Sequence, residues 1–205
     1  IQLSASIAAP PVVANDTIYG SVGTPLSHFT VASNSPTSYT ATGTSAWMSF
    51  NTTTGELSGT PTSVSAGTVV STSAANGFGT GTGSTTVIIN PGAQTITFGA
   101  LSTSTYGDAP FNLTATGGAS GNPVTYVSSN TSVATISGNT VTLVGAGSTN
   151  ITASQSGNAD YNAATDVTQP LVVNQATQTI TFNPLPNKQT TDAPFALTAT
   201  GGASG

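Results

Sequence analysis

Cysteine and arginine are absent from these 205 residues, and lysine, histidine, methionine and tryptophan occur once each. Without Cys there is no disulfide, no thiolate nucleophile and no zinc-thiolate site, although this alone does not place the protein inside or outside a cell. A single cation, Lys188, cannot neutralise a row of phosphates, which is the step behind most nucleic-acid affinity, nor can it dock the chain on an anionic bilayer. Nucleic acid is therefore excluded as a partner. No apolar run approaches the roughly 18 residues of a membrane-spanning helix, so membrane insertion is not expected. Charged residues make up 3% of the chain, with a formal net charge of −5, where an average soluble domain is about a quarter charged. Disorder through charge repulsion does not fit a sequence that is 36% hydrophobic with a mean hydropathy of +0.10. Solubility must come from Ser, Thr, Asn and Gly. Neither an initiator Met nor a secretory signal opens the chain, so Ile1 reads as an internal start.

What is present is a repeat. QTITF at 94–98 returns at 178–182, DAPF at 108–111 returns at 192–195, and LTATGGASG at 113–121 returns at 197–205, all with an offset of 84 residues. That period suits one small β-sandwich and is too long for a solenoid turn. A complete copy is expected over 92–175, with the first strands of a further copy over 176–205. Inside the complete copy, NLTAT, PVTYVSS, SVATIS, NTVTLVG, STNITAS and VTQPLVVN are short runs rich in Val, Ile, Thr and Tyr, punctuated by Gly, Asn, Ser and Pro. ATISGNTVTLV reads as a hairpin turning at Gly138 and Asn139, with Val133, Ile136, Val141 and Leu143 inward. Pro170 should lie at an edge or a bulge. Residues 10–91 form a different unit of similar size, with strands in HFTVAS, TSYTATG, WMSFN, GTVVSTSA and STTVIIN. No stretch has helical periodicity with caps. The fold class is all-β, a tandem of two-sheet antiparallel sandwiches.

Two resemblances sharpen this. SNSPTSYTATG at 33–43, followed by WMSFNTTTGELSGTPT at 47–62, resembles the bacterial putative-Ig and cadherin-like repeat, with its apolar strand, TG turn and SGTP. That family often carries GLP before the apolar strand, where this chain has GTSAW. SSNTSVATISGNTVTLVGAGSTNITAS resembles the bacterial Ig-like repeat of intimin- and invasin-type surface proteins. Together these likenesses imply tandem Ig-like sandwiches outside a bacterial cell. IQLSASIAAPP alternates Ile1, Leu3 and Ile7 on one face and resembles the closing strand STTVIINPG, so 1–9 reads as the last strand of a preceding Ig-like unit.

Candidate chemistry is sparse. His28, in LSHFTV, shares one strand face with Leu26 and Thr30, with Phe29 and Val31 opposite; both faces are mixed, and no carboxylate lies near it in the local strand pattern. It reads as a structural histidine, and no catalytic residue is assigned. Asp108 and Asp192 occupy the same repeat position in GDAP and TDAP turns, where a short carboxylate accepts backbone hydrogen bonds. Glu56 follows the turn Gly55 and reads as solvated. Asp160 and Asp166 are the candidates for a shared calcium ion, in a chain poorer in acids than calcium loops normally are. GFGTGTG at 77–83 leads into a strand rather than a helix, so it reads as a flexible hairpin and not as a phosphate loop. Lys188 in PNKQT looks like an exposed turn and not an isopeptide donor. Asn15, Asn51, Asn112, Asn130 and Asn150 lie in N-x-S/T sequons, which a Thr- and Asn-rich chain accumulates by composition. Trp47, Met48 and Phe50 read as core and edge of one strand rather than as a sugar-stacking platform.

The last thirty residues hold only Ile180, Phe182, Leu185, Phe195 and Leu197 as large apolar groups. Burial of so few cannot offset the entropy of ordering that length of chain. The expected assembly strands are therefore Ile1, Leu3 and Ile7 at one end and Ile180, Phe182, Phe195 and Leu197 at the other, paired with another subunit or with neighbouring repeats of one long chain. The expected role is structural, without cofactor or catalysis: an extracellular or cell-surface filament or adhesin stalk. The alternative is a carbohydrate-binding or spacer module of a larger secreted enzyme or phage fibre.

Overall fold

The computed structural model describes residues 8–202, in which every regular element is a β-strand and there is no helix. Ile1, Leu3 and Ile7, expected as an assembly strand, lie outside the described residues. The chain forms two compact units. The first takes the chain as far as Phe98 together with Ala115–Thr125 and Ala153–Val167; the second takes Gly99–Thr114, Tyr126–Thr152 and everything from Thr168 on.

Seven strands build the body of the first unit: β1 (Asp16–Ser21), β2 (Leu26–Phe29), β3 (Ser38–Thr42), β4 (Met48–Phe50), β5 (Glu56–Gly59), β6 (Ser65–Asn76) and β7 (Gly79–Asn90). They form one sheet in the order β1-β7-β6-β3 and another in the order β2-β5-β4. β1 runs parallel to β7, from Asp16 opposite Thr85 to Ser21 opposite Asn90, and β2–β5, β4–β5, β3–β6 and β6–β7 pair antiparallel. Second, fifth and fourth strands in one sheet, with seventh, sixth and third in the other, is the Ig arrangement. Period-two alternation decides which side chains go in. Val70, Thr72 and Ala74 of β6 and Thr85, Val87 and Ile89 of β7 are buried, while Ser71, Thr82 and Asn90 face solvent. Val22, Leu57, Val70, Val87 and Ile89 make the centre of the core, and Ile18, Leu26, Trp47, Met48 and Phe50 pack around it half-buried.

The SGTP stretch has a packing reason. Gly59 sits at φ +146°, and a Cβ there would lie 2.1 Å from the Trp47 carbonyl oxygen. Only glycine lets the chain pass so close to that backbone. Pro61, two residues on, is fully buried and its carbonyl accepts a 2.9 Å hydrogen bond from the Gly23 N–H. The GFGTGTG stretch closes the β6–β7 hairpin at 77–78 and is strand from Gly79 on.

The first unit also holds β8 (Thr97–Phe98) paired antiparallel with β11 (Ala115–Thr116). The second unit contains β9 (Ser104–Thr105), β10 (Phe111–Asn112), β13 (Ala134–Ser137), β14 (Thr140–Leu143) and most of β12 (Thr125–Ser128), β15 (Gly147–Ser154) and β16 (Val167–Asn174). Its sheets run β10-β14-β13 and β12-β15-β16-β9, with β9 parallel to β16. These orders repeat those of the first seven strands, although the two sequences differ. Val133, Ala134, Val141, Ile151, Leu171 and Val173 are buried here. The β13–β14 hairpin turns at Gly138, φ +62°, and Asn139. Pro170 lies in the part of β16 that β9 leaves unpaired, since β9 reaches only Val173 and Asn174, and this leaves room for a residue without an N–H. The stretch NLTAT is two short strands, β10 and β11, with Leu113 buried between them.

Candidate functional site

The first LTATGGASG, at 113–121, closes around two buried glutamines. Gln155 Oε1 accepts a 2.7 Å hydrogen bond from the Gly118 N–H, and Gln155 Nε2 donates at 2.7 Å to the Asn122 carbonyl. Gln94 Nε2 donates to the Asn162 carbonyl at 2.8 Å and to the Ser156 carbonyl at 3.2 Å, while its Oε1 accepts from the Ser120 N–H at 2.9 Å. Both glutamines therefore have their amide oxygen and nitrogen satisfied, as buried polar groups require. The paired glycines are forced by proximity: a Cβ on Gly117 would lie 2.5 Å from Gln155 Nε2, and one on Gly118 would lie 2.5 Å from Gln94 Cβ.

Residues 176–202 follow the path of 92–118. β17 (Thr181–Phe182) pairs with β18 (Ala199–Thr200) so that Phe182 faces Ala199 and Thr181 faces Thr200; in β8 and β11, Phe98 faces Ala115 and Thr97 faces Thr116. The two registers are the same pairing moved along by the repeat. The Asp turns match as well. Asp108 Oδ2 accepts from the Thr105 N–H at 2.7 Å and Asp192 Oδ2 from the Gln189 N–H at 2.9 Å, each closed by a return 3.0 Å backbone bond. A Cβ on Gly202 would lie 2.4 Å from Gln178 Cβ, as Gly118 stands to Gln94.

What differs is burial. Ile96, Phe98 and Leu113 are 7%, 5% and 3% exposed, whereas their counterparts Ile180, Phe182 and Leu197 are 76%, 51% and 61% exposed. Leu185 and Phe195 are exposed too, and the Lys188 ammonium stands 5.2 Å from the Phe195 ring centroid, a cation–π contact. Four of the sequence-derived assembly residues, Ile180, Phe182, Phe195 and Leu197, thus lie together on one short segment with their side chains in water.

The other candidates are placed as follows. His28 faces inward with Leu26, while Phe29 and Val31 face out. Its Nε2 lies 3.4 Å from Asp16 Oδ2; Asp16 comes from β1, outside the local strand pattern of β2 in which no carboxylate was expected near His28. The contact is within ion-pair range but lacks hydrogen-bond geometry, and the buried Nε2 makes no hydrogen bond. Ser27, on the opposite strand face, donates to Glu56 Oε1 at 2.7 Å. Asp160 Oδ1 accepts a 2.8 Å bond from the Val64 N–H, and Asp166 is exposed. Among the described residues no group of three or more His, Asp or Glu side chains is placed to hold a metal ion. Trp47 packs half-buried on the core of the first unit.

One contact had no sequence signal. Tyr161, from NADYN, packs against the core cluster of the first unit. Its ring lies where a Cβ on Gly92 would approach to 3.1 Å, and its hydroxyl would be 3.6 Å from a Cβ on Gly23. Backbone bonds fix the loop: the Gly92 N–H donates to the Asp160 carbonyl at 2.8 Å, and the Asn162 N–H donates to the Gly92 carbonyl at 2.9 Å.

No family model matches the chain, and no curated protein matches it. Among solved structures it is similar to human protocadherin-24 EC1-2, with 13% identity and a TM-score of 0.39 over 82% of this chain and 100% of that one. It is similar to Sidekick-1 immunoglobulin domains 1–5, with 16% identity and a TM-score of 0.42 over 82% and 40%. A putative α-galactosidase from Bacteroides fragilis matches with 21% identity and a TM-score of 0.38 over 47% of this chain and 20% of that one. The chain spans about a fifth of the galactosidase chains it matches. At these TM-scores none of them bears on what this chain binds or does.

Proposed function

We propose that this chain is a structural segment of an extracellular filament or adhesin stalk on a bacterial surface, in which Ig-like repeats extend and space and the 176–202 hairpin is a point of assembly. The observation that carries the reading is the hairpin itself. It has the register and Asp turn of the complete repeat, yet Ile180, Phe182 and Leu197 stand in solvent where Ile96, Phe98 and Leu113 are buried. Burying three such side chains is worth about 1.5–3 kcal/mol each, so strands of the complementary type have a strong reason to cover them. The role is mechanical rather than catalytic, and the near-uncharged surface suits it, because close packing then removes few charges from water. The placement outside the cell rests on the likeness of 33–62 and 128–154 to bacterial surface repeats.

Sedimentation velocity over a concentration series tests the reading. The chain is expected to self-associate through the hairpin, and F182D with L197D is expected to hold it monomeric without altering the melting of the remainder. A chain that stays monomeric at about 100 µM, with the double variant indistinguishable from it, would remove assembly between subunits from the proposal.

A further inference from the structure

The first unit shows how a Tyr-bearing loop is seated, and the second unit repeats the seat without its occupant. At the first seat, Ser21-Val22-Gly23 follows β1: the Val22 N–H donates to the Asn90 carbonyl at 3.0 Å, and Gly23 turns at φ +77°. At the second, Thr105-Tyr106-Gly107 follows in β9: the Tyr106 N–H donates to the Asn174 carbonyl at 2.8 Å, and Gly107 turns at φ +98°. Asn90 and Asn174 stand one repeat apart, as do Gly92 and Ala176. Tyr161 lies over Gly23 and Gly92 at the first seat. At the second there is an open cleft of about 430 Å³. It is lined by Tyr106, Gly107, Ala146 and residues 175–178; of these, Tyr106, Gly107 and 175–178 stand one repeat from Val22, Gly23 and 91–94, the stretch that includes the two glycines under Tyr161.

The geometry points to this cleft as the seat for the tyrosine of an Asn-x-Asp-Tyr-Asn loop, carried by the Ig-like repeat that the 176–202 hairpin opens. This inference rests on the repeat-array part of the proposed function and not on self-association. Three observations favour that occupant. The hairpin has already entered the path that, in the complete copy, leads on to 158–162. Gln178 is in place of Gln94, whose side-chain amide holds the Asn162 carbonyl at 2.8 Å beside Tyr161. The cleft is mostly apolar and has no charged residue in its lining, so an incoming loop can be held by backbone bonds, as the Gly92 N–H and carbonyl hold Asp160 and Asn162. Two differences set the fit. At the first seat a Cβ on Gly92 would lie 2.3 Å from the Val22 carbonyl, so Ala176 must stand further from its turn. Tyr106, in place of Val22, offers a ring against which an incoming tyrosine can stack.

The test extends the full chain by adding a second copy of residues 122–175 after Gly205, which completes the third repeat with its own tyrosine. By analogy with the Gly92 N–H, the Ala176 N–H would then donate to the loop. Its hydrogen exchange is expected to slow at least about tenfold on extension. Replacing the appended tyrosine by Ala should abolish that protection while leaving Gly92 protected in both chains. The inference is overturned if Phe182 and Leu197 become protected, showing that the third repeat has folded, while Ala176 still exchanges freely or ignores the substitution. It is equally overturned if Ala176 becomes protected in the unextended chain as concentration rises, which would make a second copy the occupant. Should the extension fail to fold, a synthetic SGNADYNAA peptide at millimolar concentration must shift the Ala176 amide resonance of the unextended chain; no shift counts against the seat. Loss of self-association in the sedimentation experiment leaves all these readouts unaffected.

Discussion

Gly118 has no room for a side chain, because a Cβ there would meet Gln94 Cβ at 2.5 Å, and the glutamine is held by three hydrogen bonds that resist its moving aside. Gly118→Ala should therefore destabilise the chain by about 1–3 kcal/mol. Gly99→Ala should be neutral or stabilising by up to about 1 kcal/mol, since nothing lies within 4 Å of its Cβ position. Urea denaturation of the two variants checks the contrast; equal effects would mean that the glutamine network does not hold the glycine pair. Truncation of fully buried Ile151 or Leu171 to Ala in the second unit should cost about 2–5 kcal/mol in the same measurement. At this scale the sequence was informative where identity repeats and uninformative where distant strands meet. Asp16 beside His28 and Tyr161 over Gly23 are contacts between residues far apart in the chain, and no local pattern encodes them.

Among elements, β1 and β5 went unread. DTIYGS carries Asp, Gly and Ser and its Ile18 is only half-buried, while ELSG is four residues that follow directly on the turn Gly55. Both are held by pairing, β1 along β7 and β5 between β2 and β4, which is a tertiary reason for being a strand rather than a propensity. The hydrophobic alternation of β6, β7, β15 and β16 was legible because each buries one face. The uncovered hairpin was legible for another reason: its letters match 94–121 so closely that the same register follows. Hydrogen exchange separates shape from stability here. Amides in β17 and β18 are expected to exchange far faster than those in β8 and β11, although the pairings match, because only the earlier pair carries buried side chains. Equal protection would show that the hairpin needs no covering strands.

Across the whole molecule the scarcity of charge limits how stability can respond to pH. With six acids, one Lys and one His in 205 residues, few groups can gain or lose a proton on unfolding. One proton of difference changes stability by at most about 1.4 kcal/mol per pH unit, or roughly 2–6 °C in melting temperature for a chain this size. Thermal scans should move by no more than about that much per pH unit; a collapse of melting near pH 6 would contradict it. The parallel pairing of β1 with β7 covers six positions, whereas β9 meets β16 only at Ser104 and Thr105. Pulling on a sandwich from its chain ends loads parallel terminal strands in shear, so that their hydrogen bonds must break together. The longer clamp should then hold to a higher force, and in a force-extension trace the second sandwich should rupture before the first, acting as a fuse that lengthens under tension while its neighbour stays folded.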